Sequence, residues 1–351
     1  MYSIQEKSIL RVNNVSTNGK WYYIDKQMLL GDLFYYLKIK GYKIIAPVKD
    51  TNGYMLRPVS SPEDIALDYI RTINGPKHYL IPNKEIILKW YSSDGKLTFK
   101  EAETDEKLAF YLIKPCDANA IILLDATMKD TPIDPYYTKR REKSIVIILD
   151  CERADAYCFC ESMNTRIPWK GAGDLWLVPV GNDSFAAKPL SDKGMMIVKE
   201  LGLLRTSKPE IKYGLTARKM PQYDVDKLYE LYDSRKWAEL SEKCLLCGGC
   251  MAACPTCTCF DIIDELLPEG NGGYRLRLWD SCIFRSFTIV AGGRIVRKDP
   301  VDRFKHRYYH KFQYFVKRWN VYGCTGCGKC AQQCPMHIHP VDIISEVIRG
   351  E

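Results

Sequence analysis

An α+β fold is predicted, with a mixed α/β domain over residues 1–235 followed by a smaller cysteine-rich domain over 236–351. Three observations predict it. Short apolar, partly β-branched runs alternate with helical stretches in the first two thirds of the chain. Cysteine density then rises abruptly after residue 243. The approach to that point, residues 208–222, is loose and carries Pro209, Gly214 and Pro221. At 351 residues the chain also exceeds what one hydrophobic core usually holds, so two or three domains are expected.

The elements follow in order. Residues 30–40 have helical spacing and stop at Gly41, and 43–48 read as a strand. Residues 108–113 and 144–149 are the kind of run found in buried parallel strands, with a helical stretch from Asp117 to Met128 between them. Residues 175–180 form a further strand, assigned toward a sheet edge because Pro179 cannot donate to a ladder. Residues 224–243 turn helical, with Val225, Leu228, Leu231, Tyr232 and Trp237 as the apolar positions.

Composition narrows the function. With 46% hydrophobic and 27% charged residues the chain is globular rather than disordered. Residues 1–10 hold no apolar core of a secretory signal, and no apolar run approaches the roughly 18 residues of a membrane span. A soluble, cytoplasmic protein with no membrane contact is expected. Fifteen cysteines, an odd number, are poorly explained by disulfides in a reducing compartment, so metal or redox chemistry is the first reading. The net charge of +8 is concentrated: residues 275–318 carry twelve Lys or Arg against Asp280, Asp299 and Asp302, a net +9.

Cys244-x2-Cys247-x2-Cys250-x3-Cys254-Pro255 and Cys324-x2-Cys327-x2-Cys330-x3-Cys334-Pro335 are two copies of the bacterial ferredoxin run. A tight loop, helped by Gly248, Gly249, Gly326 and Gly328, aims three thiolates at three irons of one 4Fe-4S cubane. The fourth cysteine, opening a helix, crosses to the other cluster. The expected ligand sets are Cys244, Cys247, Cys250 with Cys334, and Cys324, Cys327, Cys330 with Cys254. The second domain is thus a bacterial-type two-cluster ferredoxin domain with a long basic insertion, residues 255–323. Structural zinc needs neither the third cysteine of each run nor the Cys-Pro ending, and is disfavoured.

These motifs carry a resemblance. Cys254-Pro-Thr-Cys-Thr-Cys-Phe-Asp261, Trp279-Asp-Ser-Cys282, Ala291-Gly-Gly293 and the basic stretch leading into the second run resemble the 4Fe-4S dicluster subunits typified by the iron-sulfur subunit of anaerobic sulfite reductase. The β subunit of cytoplasmic nickel-iron hydrogenases, the sulfhydrogenases, belongs to the same group. Pro115-Cys-Asp-Ala-Asn-Ala120, Asp134-Pro-Tyr-Tyr-Thr-Lys-Arg-Arg141 and Cys158-Phe-Cys-Glu-Ser162 are similar to family patterns as well, so the likeness covers roughly residues 40–351. It implies an iron-sulfur subunit, not catalytic alone, that relays electrons between two partners. One is a reductase subunit that binds flavin and handles NAD(P)H; the other is a catalytic metal subunit, nickel-iron or siroheme. Soluble ferredoxin is a further candidate partner. The chain itself shows neither a GxGxxG after a strand nor a GxxxxGK[ST].

Cys116, Cys151, Cys158 and Cys160 follow two predicted strands, and loops at the carboxyl ends of adjacent parallel strands converge. Spacing alone leaves a third 4Fe-4S cluster and four small buried hydrophobes both open; the resemblance implies ligation. Asp117 is a weaker candidate to replace one thiolate. Cys158-Phe-Cys160 must turn for both thiols to reach one centre, because extended neighbours two apart flank a residue pointing the other way. Cys257, Cys259 and Cys282 are expected to pack near the clusters rather than ligate another centre, and His337 and His339 to sit on a solvent-facing turn.

The basic stretch has three readings: compensation of anionic clusters, steering of an acidic partner, or nucleic-acid binding. Tyr308, Tyr309, Phe312, Tyr314, Phe315 and Trp319 interleave with it at spacings that also describe a helix with a buried face, which makes nucleic acid the least favoured. Two other functions compete with the relay: a nucleic-acid-associated iron-sulfur protein, and direct redox catalysis at a centre built from the extra cysteines.

Overall fold

The computed structural model describes residues 12–102, 105–181 and 183–350. Twelve strands are assigned among them: β1 (Trp21–Asp25), β2 (Tyr42–Asp50), β3 (Gly53–Pro58), β4 (Lys84–Ser93), β5 (Lys96–Glu101), β6 (Lys107–Ile113), β7 (Ile145–Leu149), β8 (Leu175–Gly181), β9 (Ser184–Pro189), β10 (Arg205–Thr206), β11 (Phe260–Leu266) and β12 (Gly272–Trp279). Eight of them form one sheet in the order β10-β1-β9-β8-β7-β6-β2-β3. Its centre, β2, β6, β7 and β8, is parallel, and antiparallel strands close both sides.

The continuous apolar runs of the central strands are explained by burial on both faces. Ile45, Phe110, Val146 and Trp176 enter one core, while their neighbours Ile44, Ala109, Ile147 and Leu177 enter the other. The helix Pro115–Met128 and the helix Pro135–Lys143 connect β6 to β7. A proline in the first turn starts each without losing an intrahelical bond, and Asp134 caps the second by accepting the Tyr137 N–H.

Pro179 does not put β8 at an edge, contrary to the sequence expectation. β8 lies between β7 and β9, but β7 pairs with it only as far as Leu177, and the register to β9 shifts between Pro179 and Gly181. The missing donor therefore falls beyond the parallel ladder. The helical stretch expected at 224–243 is also broken, into a helix Val225–Glu230, one 3-10 turn and a helix Lys236–Ser241.

The second sheet is antiparallel, in the order β11-β12-β4-β5, and was not legible in the sequence. It joins β4, from before residue 235, to the β11–β12 hairpin of the basic insertion. Arg277 on β12 anchors that junction: its guanidinium reaches the buried Glu85 carboxylate, Nε to Oε2 3.1 Å, and also pairs with Asp134, while Arg140 takes the other oxygen of Glu85. Farther on, the helix Pro300–Tyr309 runs through a π turn into Phe315–Trp319. Phe304, Tyr308, Tyr309 and Phe312 pack with Trp237 and with Ile344 and Val347 of the C-terminal helix Pro340–Arg349. The aromatic spacing of the basic stretch thus belongs to a core. No helix among the described residues is long and apolar enough to cross a membrane.

Candidate iron-sulfur centres

In both ferredoxin runs a left-handed glycine turns the loop and a short helix begins directly after it. Gly248 (φ +74°) precedes Gly249–Ala253, and Gly328 (φ +74°) precedes Lys329–Gln332. These helices carry Cys250 and Cys330, and the two touch each other. The thiols meet across the runs as well as within them. Cys244 has Cys334 and Cys247 as electrostatic neighbours, and Cys324 and Cys327 each have Cys254 and Cys330.

An enclosed cavity is lined by Cys254, Cys324, Cys327 and Cys330, the four residues expected around one cluster, together with Arg307 and Lys311. Burial raises the Cys324 thiol to about 12 and lifts Cys327 too. Such groups stay protonated unless a bound metal takes the proton's place. No three His, Cys, Asp or Glu side chains among the described residues gather around a single ion. A cubane instead spreads its ligands over its corners, so a donor set of this kind fits a cluster.

The cations answer the three readings of the basic stretch. Arg303, Lys305, Arg307 and Lys311 are buried on the helix. Lys311 Nζ donates to Thr256 Oγ1 (2.8 Å) and the Gly323 carbonyl (3.0 Å). Burial works against its ammonium, yet Cys254, Cys257 and Cys324 facing it more than offset this and hold its pKa above the usual lysine range. Arg307, with an unpartnered buried Nε, faces Cys250 and Cys330. Arg307 and Lys311 thus compensate cysteine sulfurs, Arg303 and Lys305 are taken up by backbone carbonyls and Asp302, and all four buried side chains are closed to nucleic acid.

The N-terminal cysteines converge. β6 and β7 are adjacent and parallel, so Cys116 and Cys151, just beyond their carboxyl ends, are electrostatic neighbours. Cys160 has both Cys151 and Cys158 beside it. The chain does turn at Cys158-Phe-Cys160: the Cys158 N–H returns to the Asp155 carbonyl (3.1 Å), and a 3-10 turn begins at Cys160. Burial is the first cause raising the thiols, Cys151 to about 11.

This loop sits directly on the second ferredoxin run. The Phe159 N–H donates to the Gly326 carbonyl at 2.9 Å, and Thr165 Oγ1 to the Thr325 carbonyl at 2.5 Å. A Cβ at Gly326 would lie 2.6 Å from Cys160 Cα, and one at Gly328 2.4 Å from the Tyr157 carbonyl oxygen. Here glycine supplies both the positive φ and the close approach.

Several residues at this junction were missed by the sequence reading. Arg71 Nη1 donates to Cys158 Sγ (3.4 Å) and to the Cys327 carbonyl (3.0 Å). Lys329, fully buried, pairs with Asp117 at 3.0 Å and donates to the Thr72 and Asn74 carbonyls at 2.7 and 2.8 Å. Buried Lys77 donates to the Met251 carbonyl (2.9 Å) and lies 3.7 Å from the centre of the Trp279 ring. Isolated lysines and arginines in ordinary contexts give no sequence signal of burial; only Lys329, inside a cysteine run, had an informative position.

Cys257 and Cys282 are buried, and Cys259 is half-buried. The β11–β12 hairpin brings them together at its open end, where the Asp280 N–H donates to the Cys259 carbonyl (3.0 Å). A hydrogen bond from Cys282 is the first cause lowering Cys259, to about 7. Of the two histidines, His337 is exposed at a positive φ as expected, but His339 is not on a solvent-facing turn. It is 2% exposed, its Nδ1 caps the last helix by accepting the Val341 N–H (3.2 Å), and its Nε2 meets the Tyr157 carbonyl (3.0 Å).

Paired cysteine runs, crossing thiols and inward cations define a class, an iron-sulfur electron-transfer protein of the two-cluster ferredoxin type. Residues 243–338 match the family model of the 4Fe-4S dicluster domain. Over 329 residues the chain is 32% identical to sulfhydrogenase 2 subunit beta of Pyrococcus furiosus, which covers 91% of this chain and 96% of that protein. The chain belongs to that family of 4Fe-4S subunits. No solved structure matches it.

Proposed function

We propose that the chain is the relay subunit of a cytoplasmic oxidoreductase complex, placed between a flavin subunit that handles NAD(P)H and a catalytic metal subunit. The relative's name, a sulfhydrogenase subunit, makes hydrogenase the first choice for that catalytic subunit, of the nickel-iron kind that the resemblance implies; siroheme sulfite reductase is the second. The observation that carries the reading is the enclosed cavity whose lining includes Cys254, Cys324, Cys327 and Cys330 with two buried cations beside them. When bound, 4Fe-4S clusters supply one-electron storage and transfer at potentials tuned by charge and hydrogen bonds.

The residues divide into three holding sets. Cys244, Cys247, Cys250 and Cys334 hold the first centre. Cys324, Cys327, Cys330 and Cys254 hold the second. Cys116, Cys151, Cys158 and Cys160 hold a third, supported by their convergence and by the packing of their loop on the second run. Arg307 and Lys311 balance charge, and the aromatic core around Tyr308 and Phe312 excludes water.

Anaerobically prepared protein is expected to hold roughly twelve irons per chain, against roughly eight for the two ferredoxin-type centres alone. Cys151→Ser or Cys158→Ser should remove about four and leave the magnetically coupled pair intact. Full iron in those variants, with loss in Cys257→Ser, Cys259→Ser or Cys282→Ser, would move the third centre to the hairpin; only eight irons in wild type would remove it. The complex should contain both a flavin subunit and one that bears the catalytic metal. Robust hydrogen or sulfite turnover by the chain alone would sink the relay reading.

A further inference from the structure

We propose that the surface around Cys247 is the docking face for an acidic protein that exchanges electrons with this chain; the proposal rests on the relay reading and names the partner's chemistry. Of the fifteen cysteines, Cys247 alone is exposed. Its run is therefore the place where a redox centre comes nearest to solvent.

The surroundings are built for protein contact. Leu245 is 63% exposed beside Cys247, and Met336 is 43% exposed two residues after Cys334. The Phe284 ring rests on Gly248, where an added Cβ would lie 2.5 Å from its Cζ. Phe284 opens a loop that continues to Lys298 and exposes Ile289, Val290 and Val296. Arg303 ties that loop into one rim, its Nε donating to the Ile283 carbonyl (3.0 Å) and its Nη1 to the Arg297 carbonyl (3.1 Å). Single exposed aliphatics are ordinary; several on one loop whose first residue packs against the run of the exposed cysteine mark an interaction site.

Charge selects the partner. Residues 285–298 contain Arg285, Arg294, Arg297 and Lys298 and no carboxylate. Arg285, Arg294 and Lys298 are exposed, and no ion pair holds them among the described residues. Arg307 and Lys311 face thiols and Arg303 and Lys305 are buried against backbone carbonyls, whereas these outer cations face solvent on the loop that carries the exposed aliphatics. An acidic protein surface complements that loop, gaining steering from the cations and burial from the aliphatics. Nucleic acid fits less well, because most of the interleaved side chains are aliphatic and offer bases no stacking platform.

The test uses the cluster-loaded full chain and an acidic plant-type ferredoxin as probe. Binding is measured by calorimetry at low and high ionic strength for wild type and for Arg285→Glu/Arg294→Glu/Lys298→Glu. A control, Lys96→Glu/Lys139→Glu/Lys199→Glu, makes the same charge change elsewhere. The rim variant should bind about tenfold or more weakly at low salt, with the gap closing at high salt, while the control stays near wild type. Equal loss in both variants, or none in the rim variant, overturns the docking face, as does salt-dependent binding of a single-stranded oligonucleotide in place of the ferredoxin. Iron content and dithionite reducibility, read on the same samples, separate this failure from failure of the relay itself.

Discussion

Replacing Lys311 with methionine tests whether the buried cations set the potential of the second centre. Methionine keeps most of the length and removes the charge. Thr256 Oγ1 still donates to the Gly323 carbonyl at 2.8 Å, so that acceptor keeps a partner and the local fold is expected to hold. For a unit charge and an added electron on the order of 6 Å apart, an effective dielectric of about 20 gives a stabilisation of about 3 kcal/mol. For a one-electron couple, about 1.4 kcal/mol corresponds to about 59 mV, so the midpoint should fall by about 120 mV, with relaxation of the neighbours reducing this. The assay is an anaerobic redox titration followed by electron paramagnetic resonance, with iron counted on the same sample. An unchanged or raised midpoint at full iron content would refute the electrostatic reasoning.

Arg71→Met removes a donor to Cys158 Sγ and should lower the midpoint of the proposed third centre by on the order of 50 mV with iron retained; Arg71→Lys should recover part of the shift. Lys329→Met strands the Asp117 carboxylate in a buried site and should cost about 3–5 kcal/mol. Burial already raises Asp117, and without Lys329 nothing in the pair opposes it. A raised folded-state pKa favours the fold at low pH and loses that contribution as pH rises past the ordinary carboxylate value, so this variant should release its clusters faster toward neutral pH. The double variant Asp117→Asn/Lys329→Met should lose that pH dependence; a Lys329→Met variant with the wild-type profile would show that Asp117 is not the group responsible. Gly326→Ala places a Cβ 2.6 Å from Cys160 Cα and should loosen the N-terminal loop, read as loss of the roughly four irons of the proposed third centre with the coupled pair retained.

The parallel strands were legible because β2, β6 and β7 are buried on both faces and so read as unbroken apolar runs. The cysteine runs were legible because cluster geometry dictates their spacing. By contrast, β4 and β5 carry Lys84, Lys89, Lys96 and Lys100, and β4 pairs with β12 nearly two hundred residues away. Nothing local announces such a pairing. Pro179 misled because its effect depends on which ladder it interrupts, and the parallel ladder has already ended at Leu177. His339 misled because a residue after a Cys-Pro turn can equally cap the next helix, and Pro340 at the first helical position was the available signal.

The location of positive charge is the part of the site that sequence could least supply, and it bears most directly on assembly. Lys77, Arg307 and Lys311 are buried, and the groups facing them that can carry negative charge are mainly cysteine sulfurs. A buried cation without a counter-ion costs several kcal/mol. Burial raises the Cys250, Cys257 and Cys324 thiols, which as neutral groups give little counter-charge, whereas a hydrogen bond from Cys257 and the nearby Lys311 lower Cys254, which gives part of it. The remaining penalties are relieved together when metal deprotonates the other cysteines and an anionic group occupies the cavity. Folding around this cavity is therefore expected to be coupled to cluster insertion, as in small metalloproteins, since the cations that tune the centre also make its absence unfavourable.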